Sequence, residues 1–445
     1  MLGRLLLLLA LVACAAAGVP VYVMLPLDTV KKDGSAMSNR DQILSWLTQI
    51  KTKTATKGVV LDVWWGIVQQ SGPTSYNWRG YEDVAGLCAE LGLTFVPIMS
   101  FHQCGGNVND NFNVPLPGWV TAQAGKDIFY KDREGHVDQE YISLGVDGTS
   151  GLFEGTNATP IELYQAFMQS FVSNFAPFIA NSTIEHVQVS AGPAGELRYP
   201  AYQSSQWKFP GVGEFQNYDQ HMLAQLSTAA TNAGHPEWGH GGPDNAGTYS
   251  DWSAPFWEDG EENNYASDYG RFFLSWYSQA LIAHGKAVIG AAKAAFQPKG
   301  LSFALKVSGV HWQYKTHSHA AECTAGYYNT DGNNGYADIA AMFKNGGATL
   351  DFTCFEMTDA SQPTGNCGPA ELVDQVISAV RNVGGHVSGE NALPSYSSDK
   401  YDQIVKQARH FSGDIHGFSY LRLSDTLFQG GNLGTYANWV NQMTQ

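Results

Sequence analysis

The feature that most constrains the fold is a pattern repeated eight times without repetition of sequence. Short runs rich in β-branched and aromatic residues fall at 21–27, 58–65, 94–101, 186–191, 301–308, 348–356, 386–390 and 417–423, with stretches of helical period between them. Residues 41–51 place Ile43, Leu44, Leu47 and Ile50 on one helix face, and residues 369–383 do the same with Leu372, Val373, Val376 and Val380. Eight strand–helix units favour a closed parallel barrel over an open sheet. A dinucleotide-binding sheet would also need a glycine-rich phosphate loop after the first strand, and the chain has none there. The expected fold class is α/β, a (β/α)8 TIM barrel with long βα loops after strands 3 and 4.

The first residues read Met-Leu-Gly-Arg, then an apolar run, then small residues with an Ala15-x-Ala17 cleavage pattern. That order predicts a signal peptide over 1–18 and a single (β/α)8 catalytic domain over 19–445. Retention of the leader as an anchor is the alternative, and the missing basic stop-transfer flank argues against it. The expected localisation is secreted, or within the secretory and endomembrane system, with no membrane in the mature form. On that route the sequons at Asn157 and Asn181 are candidate N-glycan sites. A net charge of −16 without a Lys/Arg run speaks against a nucleic-acid partner. Twelve Trp, 21 Tyr, 22 Phe and 48 Gly suit a loop-rich enzyme with aromatic surfaces of the kind sugar rings stack on.

Of six cysteines, Cys14 belongs to the leader, which leaves an odd number and no CxxC spacing for structural zinc. Cys323 and Cys367 lie shortly beyond strands five and six, so a disulfide across neighbouring βα loops is expected. Cys104 and Cys354 sit in motif blocks, and Cys88 lies on the apolar face of a helix. No cofactor and no metal is expected.

Barrel enzymes gather their chemistry at the C-terminal strand ends. Here those ends offer Asp62 and Trp64, then His102, then Glu196 with Arg198, then Lys306 followed by His311 and Trp312, then Thr353 and Glu356, then Glu390 with Asn391, and last Arg422 and Asp425. Glutamates and aspartates among Lys, Arg, His and Trp point to acid/base chemistry on a neutral, hydroxyl-rich substrate. Structural alternatives stand beside each. Glu196 after its glycine-rich turn can be an ion pair with Arg198, and Lys306 can pair with a buried carboxylate. Asp62 can orient a loop, His102 can be a satisfied strand-end histidine, and Trp64, Trp65 and Trp312 can be core or wall.

The blocks Pro20-Val-Tyr-Val-Met-Leu-Pro-Leu27, Leu61-Asp-Val-Trp-Trp-Gly66, Ser100-Phe-His-Gln-Cys-Gly-Gly-Asn-Val108, Gly192-Pro-Ala-Gly-Glu-Leu-Arg-Tyr-Pro200, Lys306-Val-Ser-Gly-Val-His-Trp312, Thr324-Ala-Gly-Tyr-Tyr-Asn329, Phe352-Thr-Cys-Phe-Glu-Met357, Gly389-Glu-Asn-Ala-Leu-Pro394 and Tyr420-Leu-Arg-Leu-Ser-Asp425 resemble the signature blocks of β-amylases, in order along nearly the whole chain. The resemblance implies a (β/α)8 barrel that releases β-maltose, with inversion, from non-reducing ends of α-1,4-glucans such as starch, glycogen and maltodextrins. It implies Glu196 as general acid and Glu390 as general base. It further implies that Asp62, His102, Asp110, Lys306, His311, Trp312, Thr353, Asn391, Ala392 and Arg422 bind sugar or orient the pair. Residues 105–110 resemble the family's mobile lid, with Gly105 and Gly106 as hinge.

Gln313 stands where an aromatic is familiar, and Cys323 replaces an apolar residue. Three other readings stay open: an inactive glucan-binding or regulatory relative, a storage or glycan-binding protein, and a retaining glycosidase. Retention of both glutamates, Asp62 and the lid favours the enzyme.

Overall fold

The computed structural model describes residues 18–105 and 110–445. The signal-peptide expectation and most of the expected lid, 106–109, therefore lie outside the described residues. The expected barrel is present. Strands β1 (Val21–Met24), β2 (Gly58–Trp64), β3 (Thr94–Ser100), β6 (His186–Val189), β7 (Ser302–Val307), β8 (Thr349–Phe352), β9 (Val387–Glu390) and β10 (Ile415–Tyr420) close into one ring. All neighbours are parallel, and the ring is sealed where Val21 pairs with Phe418. Each strand overlaps an expected run, with β10 starting two residues before 417. The run at 348–356 is strand only to Phe352, because the chain leaves the ladder at Cys354, whose φ of 72° lies in the left-handed region.

Side chains alternate across each strand and make two cores. Val59, Leu61 and Val63 of β2 face outward into the large layer beneath the helices. Val60 faces inward, in a small cluster with Tyr22, Met24, Val96 and Ile98. Both faces of β2 are buried, which explains its near-continuous apolar sequence. Outside, the long helix Asp268–Phe296 packs against the helix Pro160–Asn174. The latter starts in a capping box, with Thr159 Oγ1 accepting from the Glu162 amide and Glu162 reaching back to the Thr159 amide. Asn157 and Asn181 are exposed. No described helix is long and apolar enough to cross a membrane.

Two features depart from expectation. The loop after β3 contains an antiparallel hairpin, β4 (Phe129–Lys131) with β5 (Val137–Ile142). The expected Cys323–Cys367 disulfide is not formed: the described cysteines, Cys88, Cys104, Cys323, Cys354 and Cys367, are free and buried. Adjacent loops bring the two residues to one face of the barrel, but each thiol is turned to a carbonyl of its own loop. Cys323 Sγ lies 3.5 Å from the Ser318 oxygen and Cys367 Sγ 3.1 Å from the Thr364 oxygen. The two ends of the described chain meet below the barrel, where the Val19 amide donates to the Met443 carbonyl at 2.7 Å.

Candidate active site

A cavity of about 200 Å³ opens at the C-terminal strand ends. Asp62, His102, Asp110, Glu196, Lys306, Thr353, Glu390, Ala392 and Arg422 all line it, with Trp64, Ile98 and Gln188.

Glu390 is the last residue of β9, and its side chain is 5% exposed. Lys306 of β7 donates to its Oε1 at 2.6 Å, while Oε2 is buried without a protein partner. Burial alone pulls the Lys306 pKa down, but the charge of Glu390 foremost more than reverses this and holds it raised.

Glu196 is presented differently, by the turn that follows β6. Arg198 donates to its Oε2 at 2.8 Å. The turn is held from outside the barrel sheet, since the Ala194 amide donates to Glu140 Oε1 of β5 at 2.7 Å. Gly195 has φ 80°, and a Cβ there would lie 3.2 Å from the His102 ring, so the turn calls for glycine twice over. The hairpin that sequence reasoning missed thus supports the turn carrying Glu196.

The remaining wall is polar and mostly satisfied. Asp62 accepts from Ser100 Oγ at 2.8 Å, and burial raises its pKa against the pull of Arg422, Ser100 and Lys306. His102 contacts Ser190 Oγ through Nδ1 at 2.9 Å. Burial, then repulsion from Lys306 and Arg198, lowers its pKa to about 3, so the ring is neutral. Arg422 donates to the Leu25 carbonyl at 3.2 Å. Thr353 Oγ1 is buried with no protein partner, a donor left over for a ligand. At the lid base, the Gly105 amide donates to Asp110 Oδ2 at 3.0 Å.

His311, Trp312 and Asn391 are not among the cavity-lining residues. His311 and Trp312 join Tyr202, Trp207 and Phe209 in an aromatic cluster, with Phe209 45% exposed. Asn391 clamps the loop after β9 to the end of β10: its Nδ2 donates to the Leu421 oxygen at 2.7 Å, and its Oδ1 accepts from the Leu421 amide. Glu356 does similar work by accepting the Ala392 and Leu393 amides. Gln313 donates its amide to the Gly365 carbonyl at 2.7 Å. Sequence reasoning also passed over Asp351, which lies under the Lys306–Glu390 pair. Among the described residues, the one group able to offer three metal ligands is Asp132, Glu134 and His136 in the β4–β5 turn, and none of these lines the cavity.

Two carboxyls on one cavity wall, each ion-paired to a cation, are an arrangement able to carry acid/base chemistry on a neutral substrate. Glycosyl hydrolase family 14 matches residues 22–445. The chain is 45% identical to beta-amylase 2, chloroplastic, of Oryza sativa subsp. japonica, over 96% of its own length and 77% of that protein's. It is 43% identical to beta-amylase 1, chloroplastic, of Arabidopsis thaliana, over 96% of its length and 76% of that protein's. The crystal structure of the catalytic domain of beta-amylase from Paenibacillus polymyxa superposes with a TM-score of 0.79 at 30% identity, covering 97% of this chain and 99% of that one. The expectation of secretion is corrected by these findings, because both plant relatives are named as chloroplastic proteins and so point away from export. With its barrel, its paired carboxyls and its match along almost the whole length, the chain belongs to glycosyl hydrolase family 14.

Proposed function

We infer that the protein is an exo-acting glycoside hydrolase that releases β-maltose from the non-reducing ends of α-1,4-glucans with inversion. The observation that carries this reading is the joint presence of Glu196 and Glu390 on the wall of one cavity, each against its own cation. The beta-amylase names of the relatives supply the substrate class.

In this reading Glu196 delivers its proton to the glycosidic oxygen as the bond to the anomeric carbon breaks. Glu390 takes a proton from the water that attacks the opposite face of the ring. Lys306 complements the negative charge of Glu390 and fixes one of its oxygens, leaving Oε2 free to accept from that water. Asp62, Asp110, Thr353 and Arg422 hydrogen-bond sugar hydroxyls, neutral His102 can donate or accept without adding charge, and Trp64 offers a ring face. Asn391 acts at one remove by holding the Leu421–Arg422 segment, and His311 and Trp312 lie where a longer glucan would pass.

We take residues 19–445 as one catalytic domain, since one ring of strands runs from Val21 to Tyr420. The sequons at Asn157 and Asn181 are sterically open, yet their use needs the export route that the relatives' names argue against. No observation favours the inactive alternative.

The test is the first product formed from maltoheptaose, followed by proton NMR before mutarotation. β-Maltose is expected. α-Maltose would mean a retaining mechanism, and no maltose at all would return the protein to the glucan-binding reading.

A further inference from the structure

We propose that Asp351 is a positioning residue of the active site: a second, uncharged carboxyl beneath Glu390 whose neutrality leaves the Lys306 ammonium committed to Glu390.

The geometry starts from strand register. Lys306 of β7 is paired with Asp351 of β8, and Asp351 in turn with Ser388 of β9. Ser388 and Glu390 are two residues apart on one strand and so share a face, which puts Asp351 one side-chain layer below Glu390. Asp351 is fully buried. Its Oδ1 accepts from Ser388 Oγ at 2.8 Å, and its Oδ2 is buried with no protein partner. The charged groups facing it are Glu390 on β9 and Lys306 on β7, and Ser388 supplies its hydrogen bond.

Two carboxyls therefore lie beside one ammonium, which ion-pairs with Glu390 alone. Were both ionised, the interior would carry an excess negative charge, and Lys306 would be drawn from Glu390 toward a competitor of equal charge. A neutral Asp351 removes the competitor. Burial, then the charge of Glu390, pushes the Asp351 pKa up to about 7, against the pull of Lys306 and Ser388. The acid form thus prevails below neutrality. Above it Asp351 ionises, Lys306 is shared, and Glu390 loses the anchor on Oε1. Loosening a catalytic group in this way lowers turnover by about ten- to a hundredfold, while groups that only bind sugar are untouched.

The inference rests on Glu390 being the base, so the experiment reads charge and turnover separately. In the wild-type protein with ¹³C-labelled aspartate carboxyls, two buried carboxyls, those of Asp138 and Asp351, should titrate near pH 7, and the Asp351 resonance is the one followed. It should be absent in Asp351→Asn and move to higher pH in Ser388→Ala, which removes a hydrogen bond favouring the ionised form. In parallel, kcat is measured against pH, each variant normalised to its own maximum. Asp351→Asn should move the alkaline limb to higher pH with KM for maltopentaose shifting by less than about twofold, since the change is confined to the catalytic step. A resonance already ionised at pH 5, or an alkaline limb in Asp351→Asn that superimposes on wild type, overturns the proposal. If Asp351→Asn does not fold, the wild-type resonance and its Ser388→Ala shift decide alone. A neutral Asp351 in a protein that makes no maltose would instead break the functional reading and leave the charge assignment standing.

Discussion

Below Asp62 and Ser100, the inward side chains of β1, β2 and β3 are Tyr22, Met24, Val60, Val96 and Ile98, whereas β7, β8 and β9 carry Lys306, Asp351, Ser388 and Glu390. The two walls face each other across one barrel and are held by opposite means. The first is satisfied by contact alone, so its members need only fill space. The second is satisfied by direction: each polar group depends on a named partner, and moving one displaces the others. The apolar wall supplies stability that is indifferent to chemistry. The polar wall supplies chemistry whose members constrain one another, and the cavity opens above both.

The largest effect expected from testing this division is on turnover. Glu390→Gln on the polar wall, and Glu196→Gln on the neighbouring turn, should each lower kcat by more than about 10⁴-fold, above the usual worth of one acid or base because neither half of the reaction proceeds alone. Glucan binding, followed by co-sedimentation with insoluble starch, should persist. A variant keeping a tenth of wild-type turnover would remove its residue from the chemistry.

A middling effect is expected from the apolar wall. Val96 is fully buried and is not among the residues lining the cavity, so Val96→Ala should lower unfolding free energy by about 1–3 kcal/mol through lost burial and the void left behind. Urea unfolding measures that loss, and kcat at a temperature where the protein stays folded should match wild type. A drop in kcat comparable to its loss of stability would show that the walls are not independent.

The smallest effect is on the pH dependence of stability, where the two sides oppose each other. His102 has a folded pKa of about 3, below its ordinary value, so the unfolded chain binds the extra proton and stability is lost as pH falls from about 6.5 toward 3. Asp351 has a folded pKa of about 7, above its ordinary value, so its contribution is full below about 3.8 and is lost as pH rises through 7. Across the shared window the slopes partly cancel. His102→Gln should leave the Asp351 slope uncovered, so that acidification from pH 6.5 to pH 4 lowers the urea midpoint less than in wild type. An unchanged or steeper fall would place the balancing group elsewhere.

Much of the polar wall was legible in sequence, because a charge inside an apolar run announces itself. Lys306 interrupts β7 and Glu390 ends β9, and both were singled out on that ground. Asp351 carries the same signal, two residues before Thr353 and on the same face, but it lies within its strand rather than at the end, where barrel chemistry gathers. The strand positions were readable because burial on both faces demands nearly unbroken apolar runs. The β4–β5 hairpin was not readable. Its first strand has three residues, and its support of the Glu196 turn passes through one long-range contact from Glu140. The same limit applies to Asn391 and Glu356, whose partners are backbone groups at distant positions. For Cys323 and Cys367, topology predicted neighbouring loops, but the direction of each thiol is a matter of local packing.

The seal between β1 and β10, with the Val19 amide held by Met443, also has a meaning in time. A ribosome makes the chain from its first strand, and the ring cannot shut until the last strand has emerged. Throughout that interval β1 presents an unpaired edge on the side that β10 will occupy, a template for mispairing that a nascent-chain chaperone would have to shield. Glu390 and Arg422 are also among the last side chains to arrive. The cavity wall therefore cannot be assembled before the last strand of the ring has emerged, and completion of the wall and closure of the barrel come in the same step.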